Sequence, residues 1–421
     1  MPAPSEIGEP MAASEGARTR RRRDVRLDFF RGLGMFIIFV AHVPDNTLAL
    51  VIPARFGVSD ATEMFVFCSG MASAIAFGRL YDTAGFALAT ARIAHRIWQV
   101  YWAHVGVFLV ALVAVIAADR LLAGDRHLLA ASSFQHFLSK DTGTAVLGFM
   151  TLTFLPQYFD ILPMYLVILA MLPLVMALSR IDVRAAGLAV AATWLIGTMG
   201  YLQLPGDPWT GDTWFFHPLA WQLLFFTGFA FMRGWLPAPP VDRHLIWLSA
   251  AILVASFPIS WWPLVDRSEL LTNVRIAIYP LLDKSLFGGL RYIHFLALAY
   301  LAYVAAGPGG NRLDGPAVRI VTRVGQQTLA VFMGGIVLAQ LSGVVLRAYG
   351  HSAATLALVN AAGFAGLVAI AYVAHWFKAA PWGRTHVRAS DPVASHSPAR
   401  PGAGPDRVPA AALEPMASKS T

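Results

Sequence analysis

Charge and cysteine are what this sequence has least of. Only 13% of its 421 residues are Asp, Glu, Lys or Arg, against 57% hydrophobic, and the mean hydropathy is +0.58. A soluble globule needs a more polar surface than that, so the composition implies a polytopic membrane protein. The lone Cys68 lies in an apolar run, which excludes an internal disulfide framework and a cysteine-rich metal site and reads as a small buried hydrophobe. No metal is expected. There is no Walker, Rossmann or zinc-protease motif and no internal repeat of the kind that builds inverted-repeat transporters. The first apolar segment lacks a small-residue cleavage site, so it reads as a retained span and not a signal peptide. The net charge of +8 concentrates in tails and short loops, where the positive-inside rule accounts for it without a nucleic-acid partner.

What is present is organised around the stretch from Arg20 to Pro53. Eleven steps separate Arg31 from His42, three helical turns plus about 20°, so both lie on one face of a helix, roughly 16 Å apart along it. Asp28 falls about 40° to the other side of the same line. Three ionisable groups on an otherwise apolar helix would cost several kcal/mol facing lipid, which points the stripe at a bundle interior or a water-filled cavity. Snorkelling of Arg31 and a helix-contact hydrogen bond from His42 is the plainer alternative. Pro44 follows at once and crowds the carbonyl four residues back, so His42 sits beside an expected helix break.

The chain then reads as an all-α, polytopic integral membrane protein of about ten transmembrane helices with both termini cytoplasmic. Residues 1–23 are a disordered basic tail, 24–378 the transmembrane domain and 379–421 a second disordered cytoplasmic tail. The first span covers about 27–43, with 47–53 an apolar extension or a re-entrant piece. A second runs from Ser59 to Arg79, where Asp60 and Glu63 have capping-box spacing and also share a face. A basic loop over 79–96, a third span at 97–118 and a long outer loop over 119–160 follow. Further spans centre on 162–179, 184–203, 214–233, 243–259, 288–306, 324–346 and 354–377. The segment 261–287 is read as an outer loop that could hold a short buried or amphipathic helix.

The order Arg31, ten residues, His42 resembles the R-x10-H pattern of the acyltransferase-3 membrane family. The runs RLDFFRGLGMFIIFVAHVP, FGVSDATEMFVFCSGMASAIAFGR, DILPMYLVIL, HPLAWQLLFFTG, RYIHFLALAYL and VGQQTLAVFMGG are similar to its OpgC branch, over about residues 24–340. The resemblance implies a bacterial inner-membrane enzyme that moves succinyl groups from succinyl-CoA to osmoregulated periplasmic glucans, with His42 catalytic and Arg31 the motif arginine. It also implies membrane lipids, a glucan acceptor and an acyl-CoA donor as partners, with no tightly bound cofactor.

The residues suit that chemistry independently. A histidine can take the proton of a sugar hydroxyl, and Asp45, Asp60 or Glu63 could orient its ring. Arg26, Arg31 and Arg79, with Asp28 between them, suit the inner end where coenzyme A phosphates would bind. Tyr165, His217, Trp221 and Gln222 suit the outer mouth of a sugar site, although Tyr and Trp at span ends are ordinarily interfacial anchors and both readings stay open. His294 reads more readily as a helix contact. His95 and His104 do not form a haem pair. A transporter or flippase with a His/Asp/Arg relay is the competing function.

Overall fold

The structure, a computed structural model, describes residues 24–122, 129, 134–139 and 141–383; the tail expected over 1–23, and that beyond 383, lie outside them. Helix α1 (Val25–His42) is followed, past two single 3₁₀ turns, by α2 (Ala61–Ser73), a π turn over Ala74–Gly78 and α3 (Arg79–Leu122). Two short helices, α4 (Gln135–Ser139) and α5 (Thr142–Met150), lead to α6 (Ile161–Ile181), α7 (Val183–Thr198), α8 (Pro218–Arg233) and α9 (Arg243–Ser260). Then come α10 (Trp262–Val265), α11 (Glu269–Ala277), α12 (Tyr279–Leu282), α13 (Gly289–Ala306), α14 (Pro316–Gln326), α15 (Thr328–Tyr349) and α16 (Ala353–Lys378). Among the described residues the nearest approach to a sheet is one isolated bridge between Pro205 and Thr213. The chain divides after Trp376; the described part of the second unit is the last turn of α16 and a 3₁₀ turn over Pro381–Gly383.

Each apolar segment expected to span contains a helix, or in the case of 324–346 parts of two. Among the described residues six runs are long and apolar enough to cross a membrane: Ala61–Leu122, Ile161–Ile181, Arg243–Ser260, Gly289–Ala306, Thr328–Tyr349 and Ala353–Lys378. The chain is therefore read as an integral membrane protein. The smaller number has physical reasons. Helix α1 carries Arg26, Asp28 and Arg31, and α7 and α8, at 16 residues each, would extend only about 24 Å. The Ala61–Leu122 run of 62 residues would be about 93 Å long if straight, three bilayer cores. It is broken at Gly85, whose φ of 80° and ψ of −179° are not helical.

Two boundaries differ from the sequence reading, and the short helix allowed for within 261–287 is three. The stretch 79–96 is helix and not loop: apart from Gly85 it is rich in Ala, Leu and Arg, which favour helix, and Thr83 bonds back to the Arg79 carbonyl. The span expected at 324–346 is two helices, because Gln327, at φ −114° and ψ 32°, separates α14 from α15. The segment 261–287 folds into α10, α11 and α12, with Pro263 and Pro280 in the first turns of two of them, where a missing N–H costs nothing.

Helix α1 packs on α2, α14 and α15, and glycines set its distance from α14. A Cβ at Gly32 would stand 1.9 Å from the Val321 carbonyl oxygen, and one at Gly325 would stand 1.7 Å from that of Asp28, so α1 and α14 meet backbone to backbone. Helices α2 and α8 meet in the same way: a Cβ at Gly70 would lie 1.9 Å from the Phe225 carbonyl oxygen and one at Gly228 2.2 Å from that of Phe67. Such close approach is how apolar helices gain dispersion contact where lipid supplies no hydrophobic drive. An aromatic cluster ties the 134–159 segment down, with Phe108 of α3 packing its ring 4.2 Å from Phe149, 5.2 Å from Phe159 and 5.4 Å from Phe134. All four are essentially inaccessible, and this fixes Tyr158 and Asp160 at the next turn of chain.

Candidate active site

Helix α1 ends where Pro44 ends it. Val43 is extended, and Asp45 takes the left-handed φ of 62°. The carbonyl of Val40, which Pro44 cannot serve, accepts a hydrogen bond from Asn46 Nδ2 at 3.3 Å. Asn46 is in turn paired with Asn360 of α16 through both amides, at 2.9 and 3.2 Å. His42 occupies the last position before this break. Its Nδ1 lies 2.8 Å from the Ile38 carbonyl oxygen. A carbonyl can only accept, so Nδ1 carries the proton and the neutral ring has its lone pair on Nε2. Tyr158 covers the ring at 5.4 Å between centroids. On its apolar side, between Phe39, Phe332 and Leu367, lies a cavity of about 10 Å³, the room one water needs.

The two charges that act on His42 are Lys284 and Asp60, and they belong to a larger cluster. Lys284 Nζ donates to Asp60 Oδ2 at 2.6 Å, and Thr62 N donates to Asp60 Oδ1 at 2.7 Å. Arg291 donates through Nε to Glu63 Oε1 at 2.8 Å, and its Nη2 bonds the same oxygen and stands 3.8 Å from Asp60 Oδ2. Glu63 Oε2 accepts the Asp60 backbone N–H at 2.8 Å, completing the capping box expected from the sequence. Burial opposes ionisation of Asp60, but Lys284 and then Arg291 outweigh it and hold the carboxyl well below the ordinary carboxylate range. Asp160, at the start of α6, goes the other way: burial pushes it up to about 6, against backbone hydrogen bonding and the attraction of Lys284.

None of the three carboxylates considered as a partner for His42 orients its ring. Asp45 is half exposed and accepts from Arg347 Nε at 2.8 Å; Asp60 and Glu63 have both oxygens engaged as above. The orienting group is the Ile38 carbonyl. At the other end of α1, Arg26 is bonded to Asp24 at 2.6 Å and lies over the Tyr303 ring at 5.1 Å. Asp28 is buried, Arg31 is half-buried within electrostatic reach of Cys68, and Arg79 is exposed where the π turn passes into α3.

The residues considered for acceptor binding are mostly turned inward. His217 donates through Nε2 to the Leu202 carbonyl, and Gln222 Nε2 donates to the Val190 carbonyl at 2.8 Å. Trp221, fully buried, donates its indole N–H to the Lys284 carbonyl at 3.0 Å, so it reaches the cluster by holding the backbone of Lys284. Tyr165 is half-buried, its ring edge-on to Phe225. His294 meets Ser59 Oγ at 2.7 Å beside the cluster. Sequence reasoning assigned no role to Lys284, Arg291, Ser59, Tyr158 or Asp160. For Lys284 the signal was that 261–287 carries cations where an outer loop should be poor in them; for Tyr158 and Asp160 it was the run PQYFDILP in the 119–160 loop, a candidate substrate-facing segment.

No curated protein and no solved structure matches the chain. The family model that describes the OpgC protein matches residues 23–379, which takes in α1, the capping-box helix α2 and every residue of the cluster. The chain belongs to the OpgC family.

Proposed function

We propose that the protein is a membrane O-acyltransferase of the bacterial inner membrane that moves a succinyl group from succinyl-CoA to hydroxyls of osmoregulated periplasmic glucans. The observation that carries this reading is the His42 ring, locked by Ile38 in the tautomer whose Nε2 lone pair is available to a base's work. In the reaction, Nε2 takes the proton of the sugar hydroxyl as its oxygen bonds to the thioester carbonyl carbon. The tetrahedral intermediate then expels the coenzyme A sulfur, which takes the proton back from the imidazolium. Arg31 and His42 stand roughly 16 Å apart on one helix, a separation an extended pantetheine arm covers, so phosphates held at the arginine end would leave the thioester near His42. Arg26 and Arg79 add cationic charge at that end of α1 and α2.

The test has two parts. Mass spectrometry of glucans from cells with and without the gene should show an added succinyl mass only when it is present. Purified protein should release free coenzyme A from succinyl-CoA in the presence of glucan, and His42→Ala, matched for folded yield, should lose about 10²- to 10⁴-fold in turnover. Wild-type turnover in His42→Ala would remove the catalytic assignment. Unmodified glucans in both strains, with no acyl-CoA-dependent product, would favour a transporter.

A further inference from the structure

Beside the cluster, on the side of Asp60, lies a second cavity of about 90 Å³, enough for several waters. Ser59, Asp60 and Arg291 line it, together with Ser260, Trp262 and Arg275. Arg275 comes from α11, and its guanidinium carbon lies over the Trp262 ring, 4.7 Å from the centroid, with Nη1 donating to the Ile259 carbonyl. These contacts hold the guanidinium and occupy one of its N–H groups, leaving others for the cavity. Among the described residues no carboxylate pairs with Arg275. Lys284 is matched by Asp60 and Arg291 by Glu63, so Arg275 is the one of these three cations that no carboxylate meets. A half-buried guanidinium with no anion, on the wall of a polar cavity of this size, is a site for an anion.

We propose that this cavity binds a carboxylate carried by the substrate, with Arg275 as the recognising residue. The geometry selects the chemistry. The planar fork of Arg275 fits a carboxylate edge-on. Asp60 lines the cavity and also acts on His42, so the site adjoins the reacting centre. The inference rests on the acyl-transfer reading and deepens it: a dicarboxylic acyl group has its distal carboxylate recognised here, and an acetyl group, lacking one, has nothing to place in the cavity. A carboxylate on the acceptor glucan would share the same chemistry.

The experiment begins without turnover. Thermal unfolding of the purified full-length protein should shift upward with succinate and not with succinamide, its uncharged isostere. Arg275→Gln should abolish the shift, and Arg275→Lys, which keeps the charge, should retain part of it and serve as the folding control. Equal succinate shifts in wild type and Arg275→Gln would overturn the proposal. Kinetics then identify the source of the carboxylate. If it is on the donor, Arg275→Gln raises KM for succinyl-CoA about ten- to a hundred-fold, the loss of one charge-assisted hydrogen bond, and leaves that for acetyl-CoA unchanged. If it is on the acceptor, the KM for glucan rises instead. Wild-type values for all three would overturn the substrate role. Absence of turnover with every acyl-CoA, together with an Arg275-dependent succinate shift, would sink the acyltransferase reading and leave the anion site standing.

Discussion

Glu63 is the residue whose situation differs most from what its type suggests. A carboxylate with no exposed surface has one oxygen closing the end of α2 and the other taking Arg291. Removing its charge leaves Arg291, itself only 8% exposed, with Asp60 at 3.8 Å as its remaining counter-charge. Glu63→Gln should therefore destabilise by about 3–5 kcal/mol, as for breaking one side of a buried pair, read as a lowered denaturation midpoint in detergent. Asp160 behaves oppositely with pH. Its carboxyl titrates near 6 when folded and near 4 when unfolded, so between those values the folded state binds more protons and stability falls as pH rises. Wild-type protein should gain thermal stability between pH 7 and 5, and Asp160→Asn should flatten that gain. Asp60 adds nothing to this window: its depressed carboxyl stays ionised there, and its stabilisation is lost only as pH falls through its folded value, below the usual carboxylate range.

Among the elements, the α1–α14 and α2–α8 crossings hold the site's parts in register, since His42 ends α1 and Asp60 begins α2. Gly32→Ala would drive a methyl into the Val321 carbonyl, and Gly70→Ala into that of Phe225. Each should cost at least about 1–3 kcal/mol of overpacking and reduce folded yield and coenzyme A release together. Gly106→Ala in α3, where a Cβ meets nothing within 4 Å, should be neutral or slightly stabilising. A yield for Gly32→Ala equal to that of Gly106→Ala would show that the α1–α14 contact opens easily. These contacts also mark what could be read in advance. The small residues of FCSGMASAIAFG and the capping box of Asp60 and Glu63 are local patterns, and both were legible. The partner of Glu63 was not, because Arg291 is 228 residues away in sequence. Nor was the ring-orienting group of His42: a side chain bonded to a carbonyl one turn back leaves no trace in residue type. Lys284 was visible only as an ill-placed charge.

For the whole molecule, the arginine-bearing start of α1 and the His42–Asp60–Lys284 cluster lie at opposite ends of the first two helices. The ten spans and inner N-terminus expected from the sequence, against six long apolar runs among the described residues, predict that both chain ends share the cytoplasmic side. Reporter fusions at Thr421 should give a cytoplasmic signal and fusions within 119–145 a periplasmic one; a periplasmic signal at Thr421 would mean one span too many or too few, with 261–287 the first place to look. The apolar segments were legible because lipid demands long runs, whereas the breaks at Gly85 and Gln327 depend on single backbone angles. Gly85 carries a stereochemical consequence. Its φ of 80° and ψ of −179° are close to the mirror image of the polyproline II conformation, with open space where a Cβ would stand. Nothing crowds the position, so the bar to a side chain is one of handedness: an L-amino acid is strained there by its own backbone, and a D-amino acid would lie in its preferred basin.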